Sequence, residues 1–100
     1  MDIISETSRL VLTEYGRYRL RYQLFKDRSE REGGSGSGYG ICICQTEAGN
    51  GELFDFCRVS GVTDDMGTAR LLFDSMVKGL VMPVSLCDLI HDWQSACMMI

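Results

Sequence analysis

From Arg17 to Leu24 apolar and polar side chains alternate without a break: Tyr18, Leu20, Tyr22 and Leu24 point one way, Arg17, Arg19, Arg21 and Gln23 the other. A period of two predicts a β-strand with one face buried and one face wet. Upstream, Arg9 to Thr13 carries β-branched and Leu residues, and Glu14, Tyr15 and Gly16 offer a turn, so a short strand and a hairpin precede it. Downstream, Tyr39 to Thr46 (YGICICQT) reads as a third strand, with Ile41 and Ile43 on one face and Cys42 and Cys44 on the other. Apolar character on both faces predicts a place in the middle of the sheet. Glu47 to Gly51 is a turn signal, with Asn50-Gly51 suited to positive φ. Glu52 to Val59 (ELFDFCRV) then reads as the fourth strand, with Phe54 and Phe56 toward the core.

After Ser60-Gly61 the period changes from two to 3.6. Ala69, Leu72, Phe73, Met76, Val77 and Leu80 form one stripe, with Arg70, Asp74 and Lys78 opposite, which predicts a helix over about 64–79. Thr63 or Asp64 is the expected N-cap, and Lys78 suits the negative end of the helix dipole. Pro83 breaks the chain, and Ser85 with Asp88 resembles a capping box opening a second helix. There Leu86, Leu89, Ile90, Trp93, Ala96 and Cys97 share one side and Asp88, His91, Asp92 and Ser95 the other. The predicted architecture is α+β: a four-stranded antiparallel sheet (β-β-β-β-α-α) with the two C-terminal helices packed on one face.

Composition narrows this to one domain spanning 1–100. With 45% apolar residues and a single Pro, the chain is neither disordered nor collagen-like, and 100 residues leave no room for a second core. A chain of this size has a stability of about 5 to 10 kcal/mol. Asp27 to Gly38 (DRSEREGGSGSG) is too polar to bury itself and predicts a flexible loop joining two strands. Fourteen acidic against ten basic residues argue against nucleic acid and against an anionic membrane surface. Asp2 and Glu6 stand where a signal peptide carries positive charge, and no apolar run is long enough to span a bilayer. The five cysteines, an odd number with no pairing frame, read as reduced thiols, so a cytoplasmic location is expected.

Several stretches resemble a family of small uncharacterised proteins of Gram-positive anaerobic bacteria, catalogued as a domain of unknown function. They are the arginine-tyrosine strand, Tyr39-Gly40-Ile41, the Val59-Ser60 exit into a helix with Ala69 and Leu72, and Val81-Met82-Pro83-Val84-Ser85-Leu86 leading to Asp88 and Asp92. The resemblance runs from about Arg17 to Trp93. It implies a bacterial, intracellular, single-domain protein and carries no activity or site to transfer.

Four constellations bear on chemistry. Arg17, Arg19 and Arg21 concentrate positive charge on one strand face, but Tyr18 and Tyr22 lie on the opposite face, where they pack instead of stacking bases. Cys42 and Cys44 lie about 6.5 to 7 Å apart on one face, but no second closely spaced pair completes a metal site. Asp88, His91 and Asp92 share a helix face, as any solvated helix face provides. Cys97-Met98-Met99-Ile100 has the form of a prenylation signal, but Asp88 and Asp92 replace the upstream basic run. Neither a serine elbow nor a P-loop is present.

The sequence therefore predicts no enzyme, no catalytic residue, no cofactor and no metal. It predicts a protein-interaction or regulatory module that binds an unknown protein partner or itself. The expected interaction surface comprises Arg17, Arg19, Arg21, Cys42, Cys44, Met98 and Met99. The alternative is a small-molecule or single-stranded nucleic-acid binding domain using the Arg-bearing sheet face.

Overall fold

The computed structural model describes residues 2–28 and 37–98. It contains β1 (Asp2–Thr13), β2 (Gly16–Arg28), β3 (Ser37–Glu47), β4 (Leu53–Thr63), α1 (Met66–Lys78) and α2 (Pro83–Met98). The strands form one antiparallel sheet in chain order, β1-β2-β3-β4, followed by the two helices. This is the α+β arrangement the periodicity predicts, with β2 and β3 inside the sheet.

The covered face of the sheet is the apolar half of the alternation. Leu20, Tyr22 and Leu24 of β2 and Ile41 and Ile43 of β3 are buried against Ala69, Phe73 and Met76 of α1 and Leu86 and Ile90 of α2. Each such side chain contributes about 1.5–3 kcal/mol on leaving water. Two hydrogen bonds fix the layers: the Tyr22 hydroxyl donates to the Val81 carbonyl at 3.1 Å, and Gln94 Nε2 donates to the Val62 carbonyl at 3.2 Å. Leu80 and Leu89, expected on the helical stripes, are exposed instead.

Several boundaries differ from expectation. β1 begins at Asp2, not Arg9, because its polar N-terminal half pairs with β2 along an edge where no apolar alternation is required. The expected loop at 27–38 is shorter at both ends, since Asp27 and Arg28 pair with Gly38 and Ser37; the rest of it lies outside the described residues. Ser60-Gly61 does not end β4. The strand runs on to Thr63, with Gly61 at φ 64 in a bulge where the register against β3 shifts between Tyr39 and Ile41.

The N-cap of α1 is Asp65, neither Thr63 nor Asp64; its carboxylate accepts from the Thr68 amide at 2.8 Å. A bond from the Thr68 hydroxyl, and after it the amide bond, holds the Asp65 carboxyl below its ordinary pKa. Pro83 opens α2 instead of preceding it, taking a first-turn position where a missing N–H costs nothing. Between the helices, Leu80 N–H bonds Val77 O and Val81 N–H bonds Met76 O, the Schellman pattern. Leu80 takes the left-handed position (φ 52) usually given to glycine, and Gly79 sits one residue earlier at φ −82. Among the described residues no helix is long and apolar enough to cross a membrane.

Candidate functional site

Two helices on one side leave the other face of the sheet open, and the register arranges that face in rows. One row runs Ser8, Arg21, Cys44, Phe56, and the next runs Glu6, Gln23, Cys42, Arg58. Arg17, Arg19 and Arg21 are exposed here as the alternation predicts, and exposed Arg58 adds a fourth guanidinium. Gln23 Nε2 donates to Glu6 Oε2 at 2.6 Å, tying β2 to the edge strand. Leu10 and Leu12 are exposed beside Arg19 and Arg17.

Phe56 stands on this open face, half exposed, contrary to the inward placement expected for it. The pairs Ile43–Cys57 and Ile41–Val59 put Cys57 and Val59 under the helices, so Phe56 and Arg58 must point away. The register also shifts between Gln45 and Thr46, which leaves Phe54 as an extra residue in β4. Phe54 is not core either, but its ring lies 4.9 Å from that of Tyr18.

One spot on the open face is closed. Phe25 is fully buried over Gly40, where an added Cβ would sit 2.6 Å from the Val59 carbonyl oxygen and collide with the ring. The Arg58 guanidinium covers the ring at 4.8 Å from its centroid, a cation–π contact.

The cysteines fall into two pairs. Cys42 and Cys44 share the open face with their sulfurs 4.0 Å apart; Cys42 is buried and Cys44 half-buried. Burial, and after it the neighbouring Cys44, pushes the Cys42 thiol up to about 12, so it stays protonated and inert at neutral pH. The second pair was not legible in the sequence: Cys57 of β4 and Cys87 of α2 bring their sulfurs to 3.0 Å. Burial, then the hydrogen bond to Cys87, pushes the Cys57 thiol up to about 11. No cluster of three or more His, Cys, Asp or Glu among the described residues can hold a metal ion.

A cleft of about 910 Å³ opens at the hairpin end of the sheet. Its walls are the β1–β2 turn (Leu12, Tyr15), the start of β4 (Phe54, Asp55) and the start of α2 (Met82, Val84), with Tyr18 and Gln45 between them. The turn owes its shape to Gly16 at φ 141 and to Thr13, whose hydroxyl accepts from the Tyr15 amide and donates to the Gly16 carbonyl. Leu12, Tyr15, Phe54 and Val84 are 72%, 87%, 62% and 76% exposed, so the rim offers apolar surface that the fold itself does not use. Its two charged members, Glu14 and Asp55, are both acidic.

The profile of DUF6514, a family of unknown function, matches residues 1–96. The chain belongs to that family. No curated protein and no solved structure matches it.

In this DUF6514 member the sequence-predicted surface divides. Arg17, Arg19, Arg21, Cys42 and Cys44 come together on the open face, although Cys42 is buried there. Met98 closes α2 with its side chain outside the described residues, and Met99 lies outside them altogether. Asp88, His91 and Asp92 are exposed on α2 and, among the described residues, meet no second group of ligands. Sequence reasoning missed the cleft because three segments distant in the chain build it; the turn residue Tyr15, apolar and unpaired by any periodicity, was its one local sign.

Proposed function

We propose that this DUF6514 protein is a non-enzymatic interaction module whose cleft takes an apolar side chain of a partner polypeptide, flanked there by Lys or Arg. The observation that carries this reading is the exposed Leu12, Tyr15, Phe54 and Val84 converging on one concavity whose charged lining residues, among the described residues, are Glu14 and Asp55. Aromatic and aliphatic anchors around a pocket are the usual core of a protein–protein contact, and an acidic rim selects basic neighbours. A bacterial, cytoplasmic setting is part of the same proposal; it rests on the resemblance of the Arg17 to Trp93 stretch and on the free thiols.

Panning a random peptide library against the protein, with counter-selection on the Tyr15→Ala/Phe54→Ala variant, tests the reading. Selected peptides are expected to share an apolar residue beside Lys or Arg, and to bind the double variant at least about tenfold more weakly, roughly 1.4 kcal/mol. Peptides that bind both proteins equally, or no enrichment at all, would sink it.

A second reading has one observation in its favour. Phe56 stands out on the open face in the same row as Arg21, with Arg58 beside it, so an aromatic does share a face with the arginines, which is the arrangement single-stranded nucleic acid uses.

A further inference from the structure

Cys57 and Cys87 stand thirty positions apart in the chain, on β4 and α2, yet their sulfurs lie 3.0 Å from each other. A disulfide bond is about 2.05 Å long, so closing one requires a movement of only about 1 Å. The other pair is less suited despite its sulfurs being 4.0 Å apart. Cys42 and Cys44 are alternate residues of one strand, whose Cα atoms are about 6.5 to 7 Å apart, at or beyond the span a disulfide tolerates. Access also differs within the first pair. Cys87 of α2 is exposed, and Cys57 of β4 is half-buried. One thiol therefore meets solvent while the other waits behind it.

We propose that Cys57 and Cys87 are a reversible dithiol–disulfide site, oxidised by low-molecular-weight disulfides and linking α2 covalently to β4. The Cys87 thiolate attacks one sulfur of the disulfide RSSR, forming a Cys87–S–S–R mixed disulfide and releasing RS⁻. Cys57 gives its proton to solvent and attacks the Cys87 sulfur, forming the Cys57–Cys87 bond and releasing the second RS⁻. The protein loses two electrons and two protons, and RSSR becomes two RSH. Cys57 is half-buried and Cys87 exposed, so the Cys87 sulfur meets the disulfide first.

The test is incubation of the full chain with oxidised glutathione, followed by alkylation of remaining thiols and peptide mapping by mass spectrometry. The expected result is a cross-linked peptide pair containing Cys57 and Cys87, lighter by two hydrogens and reopened by excess reduced glutathione. It persists in Cys42→Ser/Cys44→Ser. Cys57→Ser, folded by circular dichroism, accumulates the glutathione adduct on Cys87. Should Cys57→Ser not fold, time-resolved mapping of the unsubstituted protein replaces it, with the Cys87 adduct expected before the bridge. Two outcomes overturn the proposal: Cys57 and Cys87 remaining alkylated while other cysteines are bridged, or the Cys87 adduct persisting in the unsubstituted protein without resolution.

Discussion

Arg19 and Leu20 are neighbours on β2, and they belong to two different surfaces. On the covered face Leu20, Tyr22 and Leu24 are buried under α1 and α2 and Tyr18 is buried beside Phe54; one residue along, Arg17, Arg19 and Arg21 stand in solvent. The covered face stabilises the fold by removing apolar area from water, whereas the open face holds long, charged side chains whose exposed interactions contribute little. A two-layer domain of this size thus separates its stability from its exposed surface across the thickness of one sheet. The open face breaks its own rule where Phe25 is buried over Gly40 beneath Arg58, and Cys42 is buried on the same face.

Three substitutions challenge that contrast. Leu20→Ala is expected to destabilise the most, by about 2–5 kcal/mol in urea unfolding, because it opens a cavity inside the buried cluster. Gly40→Ala should come next, at about 1–3 kcal/mol, since the added methyl strikes the Phe25 ring and the Val59 carbonyl. A loss as small as that of an ordinary surface change would mean that Phe25 is not seated over Gly40. Smallest is Arg17→Ala/Arg19→Ala/Arg21→Ala, with each substitution expected to shift stability by no more than about 0.5 kcal/mol. That triple variant therefore stays folded and decides the second functional reading. If a labelled oligothymidylate binds the native protein at low salt, losing that signal in the variant sustains the reading, and equal binding removes it.

The sequence carried the architecture well because its strongest signals are local. Unbroken alternation in β2, the 3.6 stripe of α1 and the apolar run of β3 each describe one element and agree with one another. β4 departs from its pattern because Leu53, Phe54, Phe56, Cys57 and Val59 place apolar residues on both faces. The alternation alone allows Phe54 and Phe56 to face inward, while pairing with Ile41 and Ile43 puts Val59 and Cys57 there. The polar half of β1 was illegible for the opposite reason, since an edge strand needs a partner more than it needs a pattern. Of the site, only the arginine face was readable. The cleft and the Cys57–Cys87 pair exist through the docking of α2, whose contacts with β4 join residues about thirty positions apart.

The strand order also bears on how quickly the chain finds this fold. Every strand pairs with the one just before it, and the helices arrive last, so no strand waits for a partner still distant in the chain. Loop closure before each pairing is short, which lowers contact order and favours fast folding for a sheet protein. During synthesis the β1–β2 hairpin emerges with its turn already specified by Thr13 and Gly16, and each later strand finds a finished edge. What stays uncovered until the end is the apolar side of β2 and β3, which makes the docking of α1 and α2 the step that separates the folded domain from an aggregating sheet.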